Sequence, residues 1–176
     1  AYTPVSLKLE IGDVLFFLSD GLEESYKVLR DVPRPHSRIG EHRAVAREQT
    51  DRECFRMARI RDVIESVMNR RTYVLQDDPD TRPVDRLSFD FSGCTGTAKE
   101  VVLALVSVEK VFRLVPQRAS GETCRVEVER EIHRFLKEHF EQYAEYFSDR
   151  VDSDGEYVLA FDHLQEGPQY DDISIV

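Results

Sequence analysis

Apolar and polar positions change period several times along the 176-residue chain, and each change marks an element. Val5-Ser6-Leu7-Lys8-Leu9 alternates, which predicts a strand with one wet face. Gly12-Asp13 predicts a tight turn, and the unbroken run Val14-Leu15-Phe16-Phe17-Leu18 predicts a strand covered on both faces. Beyond Asp20-Gly21, the spacing of Leu22, Tyr26 and Leu29 suggests a short helix that Pro33 and Pro35 end. Thr50-Asp51-Arg52-Glu53 reads as a capping box, with Thr50 as N-cap. The helix it opens has the apolar stripe Phe55, Met57, Ile60, Ile64, Val67 and Met68, with Arg59, Arg61, Glu65 and Arg70 on the wet side. Residues 72–76 and 87–91 read as strands on either side of the turn-rich loop Asp77-Asp78-Pro79-Asp80-Thr81-Arg82-Pro83. A second capping box, Thr97-Ala98-Lys99-Glu100, starts a helix running to about residue 114. That helix is apolar nearly all round, as a core helix is. Residues 116–122 form a loop. Residues 126–147 predict one long helix with Val128, Ile132, Phe135, Leu136, Tyr143 and Phe147 on one side. A turn at 151–155, a strand at 157–161 and a last strand at 173–176 complete the pattern. No internal repeat is visible.

The length suits a single domain, residues 1–176, with room for a sizeable insertion. An apolar fraction of 41% and a charged fraction of 33% are ordinary for a soluble globular protein. The formal net charge of −10 argues against a generic nucleic-acid binder. Charge is uneven: residues 34–71 carry ten Arg against six acids, while 151–176 carry seven acids and no Lys or Arg. Cys54, Cys94 and Cys124 are widely spaced and form no Cys-x-x-Cys pair, so they read as free thiols of a reducing cytosol. No apolar stretch reaches the roughly 18 residues that span a bilayer, and no signal peptide opens the sequence. The expected location is the cytoplasm, as a protein of its own or as the cytoplasmic part of a larger sensor.

The candidate chemistry lies at the two ends. Gly12-Asp13-Val14-Leu15-Phe16-Phe17-Leu18-Ser19-Asp20-Gly21-Leu22-Glu23-Glu24 and Gln169-Tyr170-Asp171-Asp172-Ile173-Ser174-Ile175-Val176 each set an acidic residue against an apolar strand. A carboxylate so placed is costly to desolvate unless a positive charge faces it. Two of them on neighbouring strands make half of an oxygen-ligand site for a hard cation. Other candidates read more plainly. His36, His42, His133, His139 and His163 show no metal-ligand spacing, and His133 and His139 do not share a helix face. Gly93 and Gly96 lack the rest of a phosphate loop. Asp77, Asp78 and Asp80 lack the glycine and distal glutamate of a calcium loop. Ser19 does not sit in a nucleophile elbow.

The two end segments resemble the late motifs of the metal-dependent protein phosphatases (PPM, or type 2C-like), in the bacterial branch that includes SpoIIE and RsbU. There a Gly-Asp-x-Leu strand leads into Ser/Thr-Asp-Gly-x-x-Glu, and the domain closes with Gln-x-Asp-Asp-Ile-Thr/Ser and an apolar strand. The resemblance implies that Asp20 and Asp171 bind metal, with Gly21 and Asp172 in supporting positions, Asp172 orienting its neighbour. It implies two Mn²⁺ or Mg²⁺ ions and a metal-activated water that attacks phosphoserine or phosphothreonine in line. The substrate in this branch is a phosphorylated signalling protein of the anti-sigma-factor-antagonist type. The implied fold is α/β in the sense of a layered α+β sandwich, with antiparallel strands backed by helices. Helix 97–114 matches the helix that precedes the final strand.

Two departures qualify this expectation. The family's first metal motif, Asp-x-Ser-Gly-x-Gly, belongs upstream of the Gly-Asp strand, where this sequence has nothing. The sequence begins near the start of one strand and stops inside another, as a C-terminal piece of a phosphatase domain would. Asp90-Phe91-Ser92-Gly93-Cys94-Thr95-Gly96 is superficially similar to that motif, but its chain order is wrong and it reads as a strand end feeding a capped helix. Moreover, 150 residues separate Asp20 from Asp171, which implies a large, mainly helical insertion within 32–150. The piece alone is expected to be inactive. The alternative is a non-catalytic interaction or dimerisation module that retains the scaffold. Strand edges left open invite pairing between copies, so a homodimer is expected. Neither nucleic acid nor membrane is an expected partner of this segment.

Overall fold

The computed structural model describes residues 6–11, 13–28, 52–75, 87–116, 127–151, 157–160, 164–166, 173 and 175. In chain order their elements are α1 (Asp20–Glu24), β1 (Tyr26–Val28), β2 (Arg52–Cys54), α2 (Arg56–Met68), β3 (Thr72–Leu75), β4 (Leu87–Asp90) and α3 (Ala98–Arg113). There follow β5 (Leu114–Pro116), β6 (Glu127–Glu129), α4 (Arg130–His139), α5 (Tyr143–Tyr146), β7 (Phe147–Val151), β8 (Tyr157–Ala160) and β9 (Leu164–Glu166). Among the described residues the strands pair antiparallel: β1 with β2, β3 with β4, β5 with β9, and β8 between β6 and β7. Helices and small antiparallel sheets together make an α+β architecture.

The core is organised round α3. Its start is the capping box read from the sequence: the Glu100 N–H donates to the Thr97 hydroxyl at 3.3 Å, and the Thr97 N–H donates to the Glu100 carboxylate at 2.8 Å. Val101, Ala104, Leu105, Val108, Val111 and Phe112 are all buried. Ile60, Val63 and Val67 of α2 and Phe135 and Leu136 of α4 belong to the same core. Burying one such Val, Leu or Phe contributes roughly 1.5–3 kcal/mol, so this helix dominates the packing. The hairpin of β3 and β4 alternates as a half-buried strand pair should, with Tyr73 opposite Phe89 and Leu75 opposite Leu87 facing inwards. Phe89 stacks on Phe140 at 4.9 Å between ring centroids, and Phe91 lies 6.1 Å from Phe135.

Several expectations are corrected. The pattern Thr50-x-x-Glu53 does not start a helix at Arg52: residues 52–54 are β2, and α2 begins at Arg56, while Thr50 itself lies outside the described residues. Pairing with β1 and the 2.7 Å bond from the Phe55 N–H to the Ser25 carbonyl override the local capping signal. On α2, Met57 and Met68 are exposed and Val63 is buried in their place. Arg59 folds back instead of pointing into solvent, donating to the Cys54 carbonyl at 2.9 Å and lying over the Phe112 ring.

Residues 126–147 are not one helix. Phe140 is extended and bridges Phe89, the Glu141 N–H donates to the Ser88 carbonyl at 3.0 Å, and the Gln142 side chain accepts the Ser88 N–H at 2.9 Å. The open edge of β4 is satisfied by residues 140–142, which costs the helix its continuation.

Residues 6–10 and 13–17 form no strand ladder among the described residues, and the run 14–18 is not covered on both faces. Phe16 and Leu18 pack against the core, whereas Val14, Leu15 and Phe17 are exposed. Of the turn expected at Gly12-Asp13, Gly12 lies outside the described residues, and the Asp13 N–H donates to the Glu10 carbonyl at 3.1 Å. Beyond Asp20 the expected helix is only α1, and Tyr26 lies in β1. Of the loops and strands expected elsewhere, residues 29–51, 76–86, 117–126 and 152–156 lie outside the described residues.

Candidate metal centre

Asp20 opens α1 directly after Leu18-Ser19. Ser19 is the N-cap in extended conformation, φ −75° and ψ 158°. Acidic Asp20 and Glu23 in the first turn suit the positive end of a helix. Gly21 and Leu22 are buried, and Asp20 is exposed. The backbone thus seats the Gly21-Leu22 side of the turn in the core and leaves a free carboxylate beside it.

The other end of the chain comes to the same place. Leu18 and Ile175 form an antiparallel bridge, and Phe16, Leu18, Ile173 and Ile175 are all half-buried against the core. The segments that carry the two sequence motifs are therefore neighbours in space, although more than 150 residues separate the bridged pair. Asp171 and Asp172 lie outside the described residues, so of the two expected metal ligands Asp20 alone has a described position. Among the described residues no three His, Cys, Asp or Glu side chains are grouped to hold an ion.

Two further polar groupings escaped the sequence reading. Cys94 Sγ lies 3.8 Å from His139 Nε2, and His139 Nδ1 lies 2.8 Å from the Asp90 carbonyl oxygen. Burial pushes the Cys94 thiol up to about 11, helped by the Glu100, Asp90 and Glu138 carboxylates, so the sulfur is a protonated, unreactive thiol at neutral pH. Cys94 and His139 are 45 residues apart, a separation that carries no spacing signal. The Asp90 carboxylate accepts the Ser92 N–H at 2.9 Å, as the end of β4 turning towards α3. The Asp90–Gly96 segment is thus a strand end feeding a capped helix.

The second grouping is Ser25, Glu109 and Arg113, all buried. Glu109 accepts from the Ser25 hydroxyl and from the Arg113 guanidinium. Its one sequence signal was the four-residue spacing of Glu109 and Arg113, hidden inside an apolar helix.

A scan against protein-family models and searches of curated proteins and of solved structures find no match to this chain. Among the described residues no helix is long and apolar enough to cross a membrane.

Proposed function

We propose that this chain carries the C-terminal metal-binding half of a PPM-type serine/threonine phosphatase domain of the SpoIIE/RsbU-like branch. Its α+β elements would then be part of that family's layered sandwich, and the cytoplasm its place of action. The observation that carries the reading is the Leu18–Ile175 bridge. Leu18 lies two residues before Asp20 and Ile175 four residues after Asp171 in sequence, so the bridge joins the segments that carry the two motifs.

The donor chemistry fits a hard divalent cation. Asp20 offers exposed carboxylate oxygens, which suit Mg²⁺ or Mn²⁺ better than they suit softer metals. In this reading Asp20 and Asp171 ligate, Gly21 keeps the turn close to the core, and Asp172 orients its neighbour. Bound ions would supply a water acidic enough to attack a phosphoserine or phosphothreonine ester at neutral pH. The substrate would be a phosphorylated signalling protein of the anti-sigma-factor-antagonist type.

The test is Mn²⁺-dependent hydrolysis of an aryl phosphate and of a phosphoserine peptide by the protein in its natural full-length form. Turnover should vanish in Asp20→Asn and Asp171→Asn, and Asp172→Asn should weaken apparent Mn²⁺ affinity about 10–100-fold. Undiminished metal-dependent turnover in Asp20→Asn would sink the assignment.

A further inference from the structure

The thiol and imidazole brought together where β4 runs on towards α3 belong to no part of the phosphatase reading. We propose that Cys94, His139 and Glu138 bind one Zn²⁺ ion, with water in the fourth position. The proposal is independent of the phosphatase reading.

Spacing of the donor atoms supplies the first argument. Cys94 Sγ lies 3.8 Å from His139 Nε2. A tetrahedral zinc, with bonds of about 2.3 Å to sulfur and about 2.0 Å to nitrogen, holds that pair about 3.5 Å apart. The closure needed is small. Thiolate and imidazole are also donors that suit zinc rather than Mg²⁺ or Mn²⁺.

Orientation of the ring supplies the second. His139 Nδ1 lies 2.8 Å from the Asp90 carbonyl oxygen, which can only accept, so Nδ1 carries the proton of the neutral ring. Nε2 keeps its lone pair, within reach of the sulfur. A ligating histidine has this same arrangement, its other N–H held by a carbonyl that fixes the tautomer and raises the basicity of the free nitrogen. The ring is also held in place, with its centroid 4.3 Å from Phe135 and 5.9 Å from Phe91. The Phe91 carbonyl accepts the Cys94 N–H at 3.0 Å, which fixes the other donor.

Charge supplies the third argument and the third ligand. Glu138 Oε2 lies 4.0 Å from His139 Nε2, where zinc would hold oxygen and nitrogen about 3.3 Å apart. As the described side chains stand, no three donors surround one point. The Glu138 side chain is 63% exposed, so it has room to turn inwards and complete the set, and it gives the ion a way in from solvent. The Asp90 and Glu100 carboxylates place further negative charge beside the thiol. A neutral S–H bonded to His139 gains nothing from these charges, whereas a dication does. On binding, the sulfur loses its proton to water and the metal takes the proton's place.

Cobalt and zinc titrations of the full chain, reduced with a phosphine, test it, with circular dichroism of the metal-free proteins to verify folding. One equivalent of Co²⁺ should raise a thiolate-to-cobalt charge-transfer band in the near ultraviolet, and Zn²⁺ should displace it. Cys94→Ser should abolish the band, while Cys54→Ser and Cys124→Ser should keep it. His139→Gln should weaken Zn²⁺ binding more than about 100-fold, since even the partners of ligands are worth about 10–100-fold. Glu138→Gln should keep the band and weaken Zn²⁺ binding about 10-fold or more. This exposed variant carries the test should either of the other two fail to fold. Absence of the band in the wild type overturns the proposal. So does a band that survives Cys94→Ser, or a Zn²⁺ affinity that ignores His139→Gln or Glu138→Gln, because the ion would then sit elsewhere.

Discussion

Arg70 holds a backbone conformation that glycine usually supplies. Its φ is +53°, just beyond the C-terminus of α2 at Asn69. The Arg71 N–H donates to the Ser66 carbonyl at 3.0 Å and the Arg70 N–H to the Val67 carbonyl at 3.1 Å, the bond pair of a Schellman ending. A side chain in the left-handed region costs roughly 1–2 kcal/mol. Set against that cost, Arg70 gains only a long 3.5 Å hydrogen bond to the Thr95 carbonyl on an exposed surface. Arg70→Gly should therefore stabilise the fold by about 0.5–1 kcal/mol, after allowing for the greater freedom glycine gives the unfolded chain. Chemical denaturation of the two proteins measures the difference, and a lower midpoint for the glycine variant would contradict the argument. Nothing in the sequence marks this position, because the pattern there promises only the end of an amphipathic helix.

Element by element, local signals were legible where no neighbour competed with them. Helix α3 could be read to within a residue because its capping box lies within four residues of sequence and its apolar positions need only a core around them. The same four-residue pattern at Thr50 misled, since β1 offered Arg52–Cys54 a strand partner. Residues 126–147 misled for a related reason: the period of 3.6 continues past His139, but the edge of β4 takes the backbone at Phe140 and Glu141. The pairing of the two chain ends lay within reach of the motifs, while Cys94–His139 and Ser25–Glu109 depend on the fold alone. The α3 cap also has a pH dependence that can be derived. Partial burial raises the Glu100 carboxyl, but hydrogen bonds from the N–H groups and hydroxyls of Thr95 and Thr97 outweigh it and hold it at about 2, below its ordinary 4.5. A depressed carboxyl contributes stability above its unfolded value, and that contribution is lost as pH falls from about 4.5 towards 2. Glu100→Gln should thus cost about 1 kcal/mol at pH 6, well short of the full shift because solvent screens a carboxylate so exposed. The gap between variant and wild type should narrow as pH falls towards 2 and close only below it. Thermal melts at several pH values measure it; a gap that stays constant would remove the carboxylate from the cap.

At the scale of the whole molecule, the question is what fastens the N-terminal motif to a core built largely from residues far along the chain. Leu22 is fully buried and supplies the apolar part of the answer. The polar part is the Ser25 hydroxyl on Glu109, with Glu109 held in turn by Arg113 one helical turn further along α3. Phe55 adds its N–H to the Ser25 carbonyl, so Ser25 joins the end of α1, the junction of β2 with α2, and α3. Glu109 and Arg113 are respectively 1% and 4% exposed, which makes desolvation the deciding term. Two ions taken out of water lose several kcal/mol each, and their attraction recovers this only while both are present. Glu109→Leu and Arg113→Met are each expected to cost about 3–5 kcal/mol, while the double variant should cost clearly less than the sum of the two. The Ser25 hydroxyl sets the limit: with Glu109 gone it loses an acceptor, so Ser25→Ala should be less harmful in the double variant than in the wild type. Urea unfolding of the single and double variants measures the coupling. Additive costs would show that the pair is not the tie between the motif and the core helix.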